Sequence, residues 1–487
     1  MMRALQVAGL LAVGLPATWA RPARRAVTSP ECYITSADGA YNLSAYTAPV
    51  QGTGSTTITS TWKLSVDDTS TGHKQQITGF GAAVTDATVS VISALPADQQ
   101  SALLAELFTT GPDDGVGFSL MRHTIGASDL SAYAYSYDNV STADSSLADF
   151  SLYSPGQDMV QLIANMVATN PDLKLLGSVW SPPGWMKLNG VMYGTTTNNN
   201  LNMDYASAYA DYFVKYIQAF AAGGVNVDAI TIQNEPLNSQ AGYPTMYVSA
   251  DQETQLIQDY VGPALQSAGL ATEIWAYDHN TDVPSFPQTV LDGAGDYVNT
   301  VAWHCYAPNN NWDVLTQFQQ TNPSVTQYMT ECWTSPTNTW YSTTDFVMGP
   351  MQNYAAGAMA WTLATDFSYG PHLPGGCTTC RGLVEVDTTA GTYSKTPDYY
   401  FMGQFSRFVP RGAIALNTTG SWDYGNGQKL EVAAFLNPDN SRTLVIENGF
   451  GNPVYVTVTF NSGETWSGPL YTESVTTWVL PPTTGTA

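Results

Sequence analysis

Positive charge is scarce in this sequence. Only 16 Lys and Arg stand against 40 Asp and Glu, for a net charge of −24. Binding to nucleic acid or to anionic membranes needs clustered basic side chains, so both partner classes are excluded. Charge of either sign is sparse as well, at 11% of residues, which leaves a mostly neutral-polar surface suited to a neutral substrate. Beyond the N-terminus there is no run of roughly 18 or more apolar residues, the length a membrane-spanning helix requires. Fixed-period repeats, heptads and long low-complexity linkers are also missing, which excludes solenoids, coiled coils and bead-on-string designs. What remains is 487 residues that are 44% hydrophobic and 12% aromatic, enough to bury a large core.

Arg3, the apolar stretch Leu5 to Leu15 and the small-residue context Thr18-Trp19-Ala20 read as an export signal over residues 1–20. A dibasic point at Arg24-Arg25 would remove 21–25 as a propeptide. The expected product is a secreted, extracellular monomer with no membrane attachment once the signal is cleaved. Sequons at Asn42, Asn139 and Asn417 agree with a glycosylating route. Five cysteines leave one unpaired. Cys377-Thr378-Thr379-Cys380 is spaced for a short loop disulfide. Zinc needs more ligands than that pair supplies, and no second cluster follows, so no metal or cofactor is expected. Cys305 and Cys332 directly follow His304 and Glu331; strand alternation turns them away from those residues, as small buried hydrophobes.

Helical and strand patterns alternate between residues 78 and 400, the signature of βα units around a parallel sheet. Pro96 opens a helix carrying Leu103, Leu104, Leu107 and Phe108. Ser154-Pro155 supplies N-cap and N1 for a second, and a third stops at Gly223-Gly224. Strand ends fall near Asp86, Arg122, Trp180, Glu235, Asp278, His304, Glu331 and Trp361, the eight a closed barrel requires. Past Phe408 short alternating strands such as 454–460 and 474–480 read as an antiparallel domain. The stretch from Thr53 to Val66, with Thr57-Ile58-Thr59 and Trp62-Lys63-Leu64, has the same character and is expected to pair with them. The division is 26–77 as strands contributed to a β-sandwich, 78–404 as a (β/α)8 TIM barrel and 405–487 as the sandwich proper.

Two apolar or alternating runs each end in a glutamate: Asn234-Glu235-Pro236 and Thr330-Glu331-Cys332-Trp333. A parallel barrel places its reactive groups at such strand ends. Residues 235 and 331 leave room for three strand–helix units between them, which fits strands four and seven. Two carboxyls about 5–5.5 Å apart can protonate a departing sugar oxygen and attack the anomeric carbon. For Glu235 to be the acid, burial and the charge of Glu331 must raise its pKa.

Gly79 to Asp86, Arg122 with Ile125 to Asp129, Trp180 to Lys187, the Asn-Glu-Pro motif, Tyr277 to Asn280 and His304-Cys305-Tyr306 together resemble the family 30 glycoside hydrolases. The resemblance covers nearly the whole chain. The loop from Cys377 to Val384 and the Thr-Glu-Cys-Trp motif further resemble fungal endo-β-1,6-glucanases of that family. The resemblance implies a barrel with a fused β-sandwich and a retaining mechanism, with Glu235 as acid/base and Glu331 as nucleophile. Arg122 would hold Glu331 ionised, and Asn234 would donate to the sugar 2-hydroxyl. His304 and Tyr306 would orient the nucleophile or touch a hydroxyl, and Asp129 would bind hydroxyls. Trp180, Trp333 and Trp361 offer flat indole area for a sugar-stacking wall. The substrate would be a neutral polysaccharide, β-1,6-glucan, cleaved internally. Alternatives with the same mechanism are β-1,6-galactan, glucuronoxylan or a glucosylated sphingolipid; the non-enzyme alternative is a carbohydrate-binding or wall protein with an inactive barrel.

Overall fold

A computed structural model of the chain describes residues 26–110, 115–195, 198–308 and 311–483. The export signal and propeptide readings lie outside the described residues. Eight parallel strands close a barrel: β1 (Gly79–Val84), β2 (Leu120–Ile125), β3 (Lys174–Val179), β4 (Ala229–Thr231), β5 (Glu273–Asn280), β6 (Thr300–His304), β7 (Thr326–Glu331) and β8 (Ala355–Ala360). Every residue of β1, β2 and β8 is buried, as expected of strands covered on both faces.

The helices follow their apolar stripes. Ala97–Phe108 begins after Pro96 and buries Leu103, Leu104, Leu107 and Phe108. Tyr153–Thr169 starts two residues earlier than its Ser-Pro pair suggests, so Ser154 lies inside the first turn and makes no cap bond. Ala206–Ala222 stops at Gly223, as the glycine pair dictates.

The second layer is a sandwich in which both ends of the chain meet. Glu31–Ser36 pairs antiparallel with Ser474–Leu480, and Thr61–Asp67 runs parallel to Val454–Phe460. Of the N-terminal stretch, Thr57 to Thr59 forms no strand, contrary to the β character of its residues; only Thr61–Asp67 joins the sheet. The sandwich has an interior of its own around Val456, Trp466 and Trp478. Its other face, with Ala433, Phe435, Val445 and Val475, merges into the apolar cluster of the barrel helices. Gln404, on the helix Pro397–Ser406, ties the layers: its side chain donates to Thr35 and accepts from Thr477, both on sandwich strands.

Candidate active site

The C-terminal rim of the barrel holds a pocket of about 600 Å³. Asp129, Trp180, Asn234, Glu235, Tyr306, Glu331, Trp333 and Trp361 line it, together with Tyr243, Trp312 and Asp345, which the sequence reading did not single out. Among the expected site residues, Arg122 and His304 lie directly behind this lining, both fully buried.

Backbone shape explains how the carboxylates arrive. Glu331 is the last residue of β7. Glu235 lies four residues past the short β4 and adopts a left-handed φ of 47°, a conformation uncommon outside glycine and tolerated where the surroundings over-determine it. One oxygen of each carboxyl and a His304 ring nitrogen all fall within 4.8 Å of one another. That brings the two carboxyls into one site at a range close to the about 5–5.5 Å of a retaining pair.

Arg122 sits mid-strand in β2 rather than at its end, and from there it reaches inward. Its guanidinium donates to Glu331 Oε2 at 2.5 Å, to Asn234 Oδ1 at 2.6 Å and to Asp278 Oδ2 at 2.7 Å. Tyr306 donates its hydroxyl to Glu331 Oε1 at 2.9 Å, so both oxygens of Glu331 are held. Asn238 donates to Glu235 Oε2 at 2.7 Å. His304 bridges the set, with Nε2 2.9 Å from Asp278 Oδ1 and Nδ1 3.2 Å from Glu235 Oε1.

Asp278 is the hub that the sequence reading missed. It takes bonds from Arg122, Ser178, Thr231 and Thr330 besides facing His304. Tyr277 and Asp278 both have positive φ, and the register of β5 on β6 shifts there, which swings the carboxylate into the barrel. The Tyr277-Asp278-His279-Asn280 motif marked a strand end here, but without the bulge it did not show that the Asp278 carboxylate turns inward.

Charge balance inside the cluster is set by these contacts. Burial pushes the His304 ring down, but Glu331 and Asp278 outweigh it and raise the ring to about 9. Burial pushes Glu235 up; the His304 bond, the charges of His279 and His304 and the Asn238 bond reverse that and hold it at about 2. The free site therefore keeps its proton on His304, contrary to the expected raised value for Glu235. Glu331 is raised by burial, against the pull of His304 and Arg122. Although Glu235, His304 and Glu331 are close enough to surround a cation, an imidazolium whose two nitrogens both face carboxylates offers no lone pair.

The tryptophans divide. Trp180 and Trp361 stack on each other at 5.1 Å, with the Arg122 guanidinium 4.8 Å from the Trp180 ring. Both line the pocket yet are nearly buried, so little of either ring is exposed. Trp333 is half-buried and lines the pocket. Asp129 is raised to about 7, by burial first and then by Glu331, against a bond from the Cys377 amide.

The cysteines correct the sequence reading. Cys305 and Cys332 are joined as a disulfide and line the pocket, because the register of β6 on β7 sets His304 beside Glu331 and so their successors side by side. Cys377 and Cys380 form the expected short loop, and Cys32 is the buried remainder. Asn42, Asn139 and Asn417 are all exposed.

Comparison with known proteins agrees with this architecture. Residues 77–409 match the glycosyl hydrolase family 30 TIM-barrel domain and 412–481 its β-sandwich domain. An endo-1,6-β-D-glucanase of Aspergillus fumigatus is 56% identical over 96% of this chain and 98% of its own length. One from Neurospora crassa is 57% identical over 94% of this chain and 96% of its own length. A solved endo-β-1,6-glucanase, 27% identical, superimposes with a TM-score of 0.81 over 93% of this chain and 100% of that one. With both domains matched in order, this chain belongs to glycoside hydrolase family 30.

Proposed function

We propose that this chain is a secreted endo-acting hydrolase of β-1,6-glucan working by double displacement. The observation that carries the mechanism is the placement of Glu235 and Glu331 with oxygens within 4.8 Å across one open pocket. The linkage rests on similarity to endo-1,6-β-D-glucanases over nearly the whole length. Glu331, held by Arg122 and Tyr306, attacks the anomeric carbon as the bond to the departing oxygen breaks, forming a glycosyl ester. Glu235 delivers the proton to that oxygen. In the free site this proton is on His304 and crosses the 3.2 Å contact to Glu235 when a sugar enters and displaces water, which favours the neutral pair over the charged one. Esterification of Glu331 removes its charge, and Glu235 then takes a proton from the incoming water, which releases the sugar with retained configuration. Arg122 occupies the Asn234 amide oxygen, which leaves the NH2 group to donate to the 2-hydroxyl.

Export follows from the N-terminal signal pattern, and no helix among the described residues is long and apolar enough to cross a membrane. The test is a product profile on linear β-1,6-glucan beside β-1,6-galactan and glucuronoxylan, with the anomer formed followed by NMR. Short β-1,6-gluco-oligosaccharides released first as the β-anomer are expected. A first product of α-configuration, or turnover confined to another polymer, would overturn the reading.

A further inference from the structure

Away from the pocket, the sandwich exposes aromatic rings. Among the described residues of that domain, its large apolar side chains are well exposed only at Val50, Trp422 (59%) and Tyr424 (65%). Trp422 and Tyr424 sit on one hairpin, two residues apart and so on one face. Tyr424 meets Trp62 at 6.5 Å and Phe450 at 6.2 Å, and Trp422 lies 6.2 Å from Tyr424. Hydrogen bonds hold Trp62 and the backbone of the hairpin in place. Trp62 donates its indole N–H to the Gly420 carbonyl, and Gln428 accepts from the Tyr424 amide at the hairpin's neck. Exposed Asn426 and Gln428 border them with amide donors and acceptors.

The opposite face of the same hairpin stands on the wall of the active-site pocket. Asp423 pairs with Lys429, whose amine bonds Asp345, a pocket-lining residue. Gly427 lies so close to the Tyr341 ring that a Cβ there would come within 2.4 Å of it. A polymer or particle engaged at the pocket is therefore one hairpin away from four aromatic rings.

We propose that Trp422 and Tyr424, backed by Trp62 and Phe450, form a second binding platform for the same neutral glucan that the pocket cleaves. This inference rests on the glucan reading above. Apolar pyranose faces stack on flat rings, and bordering amides suit sugar hydroxyls. At a net charge of −24, the chain favours an uncharged ligand over an anionic one. Holding a neighbouring stretch of polymer raises the effective concentration of cleavable bonds at the pocket without touching the chemistry.

The experiment compares the wild type with the Trp422→Ala/Tyr424→Ala double variant on a soluble β-1,6-linked tetrasaccharide and on insoluble β-1,6-glucan, with sedimentation of enzyme bound to the insoluble polymer. Expected are tetrasaccharide kcat/KM within two-fold of wild type, and at least three-fold losses in bound fraction and in insoluble-glucan hydrolysis. Equal rates and equal binding on the polymer would overturn the platform, and so would equal losses on both substrates, which would place the effect in the pocket. Wild-type failure on both β-1,6 substrates would reject the glucan reading itself, while retained, variant-sensitive sedimentation would still support the platform.

Discussion

Each carboxylate at the pocket is defined by its donors. Glu331 accepts from a guanidinium and a phenol, and Glu235 faces a histidine that holds the proton. Glu331→Ala should abolish turnover, and added azide should restore it as a glycosyl azide of inverted configuration. Rescue with retained configuration would exchange the two roles. His304 gives a pH test with a definite sign. Its ring is raised from 6.5 to about 9, so the stability it contributes is fully present below about 6.5 and lost as pH rises through 9. The proton available to Glu235 follows the same course. The alkaline limb of kcat/KM, which reports the free enzyme's donor, should approach pH 9 in the wild type. In His304→Gln it should fall by at least about one pH unit, since the buried Glu235 must then hold the proton alone; an unmoved limb would remove His304 from the proton path. At this scale the two glutamates, Arg122 and Tyr306 were legible because each follows from a local motif. Asp278 was not, because its inward turn depends on a positive φ and a register shift that its motif does not spell out.

Elements join residues that the sequence keeps far apart. The Cys305–Cys332 disulfide staples the ends of β6 and β7 one residue beyond His304 and Glu331. Alternation along one strand cannot reveal this, since pairing depends on register between strands, and the sequence therefore suggested two separate buried thiols. Closing a loop of this size contributes about 3.5 kcal/mol in the chain-entropy account. The Cys305→Ser/Cys332→Ser variant should melt a few degrees lower, and its kcat should fall three- to ten-fold with KM little changed, because the staple positions Glu331 more than it binds sugar. A rise in KM alone would assign the bond to substrate binding instead. Helices were easier to read than strand ends. The stripe of Leu103, Leu104, Leu107 and Phe108 fixes a face, whereas Thr57 to Thr59 has strand-forming residues but no neighbour to pair with.

The molecule as a whole ties its two layers together. Alternating βα pattern across 78 to 400 was enough to indicate a barrel, and short alternating segments were enough to indicate a sandwich. How they dock was not legible, because it is carried by single residues whose partners lie hundreds of positions away, such as Gln404 between Thr35 and Thr477. Phe435 belongs to a sandwich strand yet is fully buried in the barrel's apolar cluster. Truncating such a phenylalanine costs about 3–5 kcal/mol, from lost burial and the cavity left behind. If the layers fold as one unit, Phe435→Ala should lower the melting temperature in a single transition, with activity lost at that same temperature. Hydrogen exchange should then speed up in Gly79–Val84 and Ala355–Ala360 of the barrel as much as in Arg442–Asn448 of the sandwich. Faster exchange confined to the sandwich, with barrel protection and activity surviving above its melting point, would show two domains resting side by side. The shared cluster argues against that, since Ala433, Phe435, Val445 and Val475 of the sandwich are buried in one apolar cluster with the barrel helices.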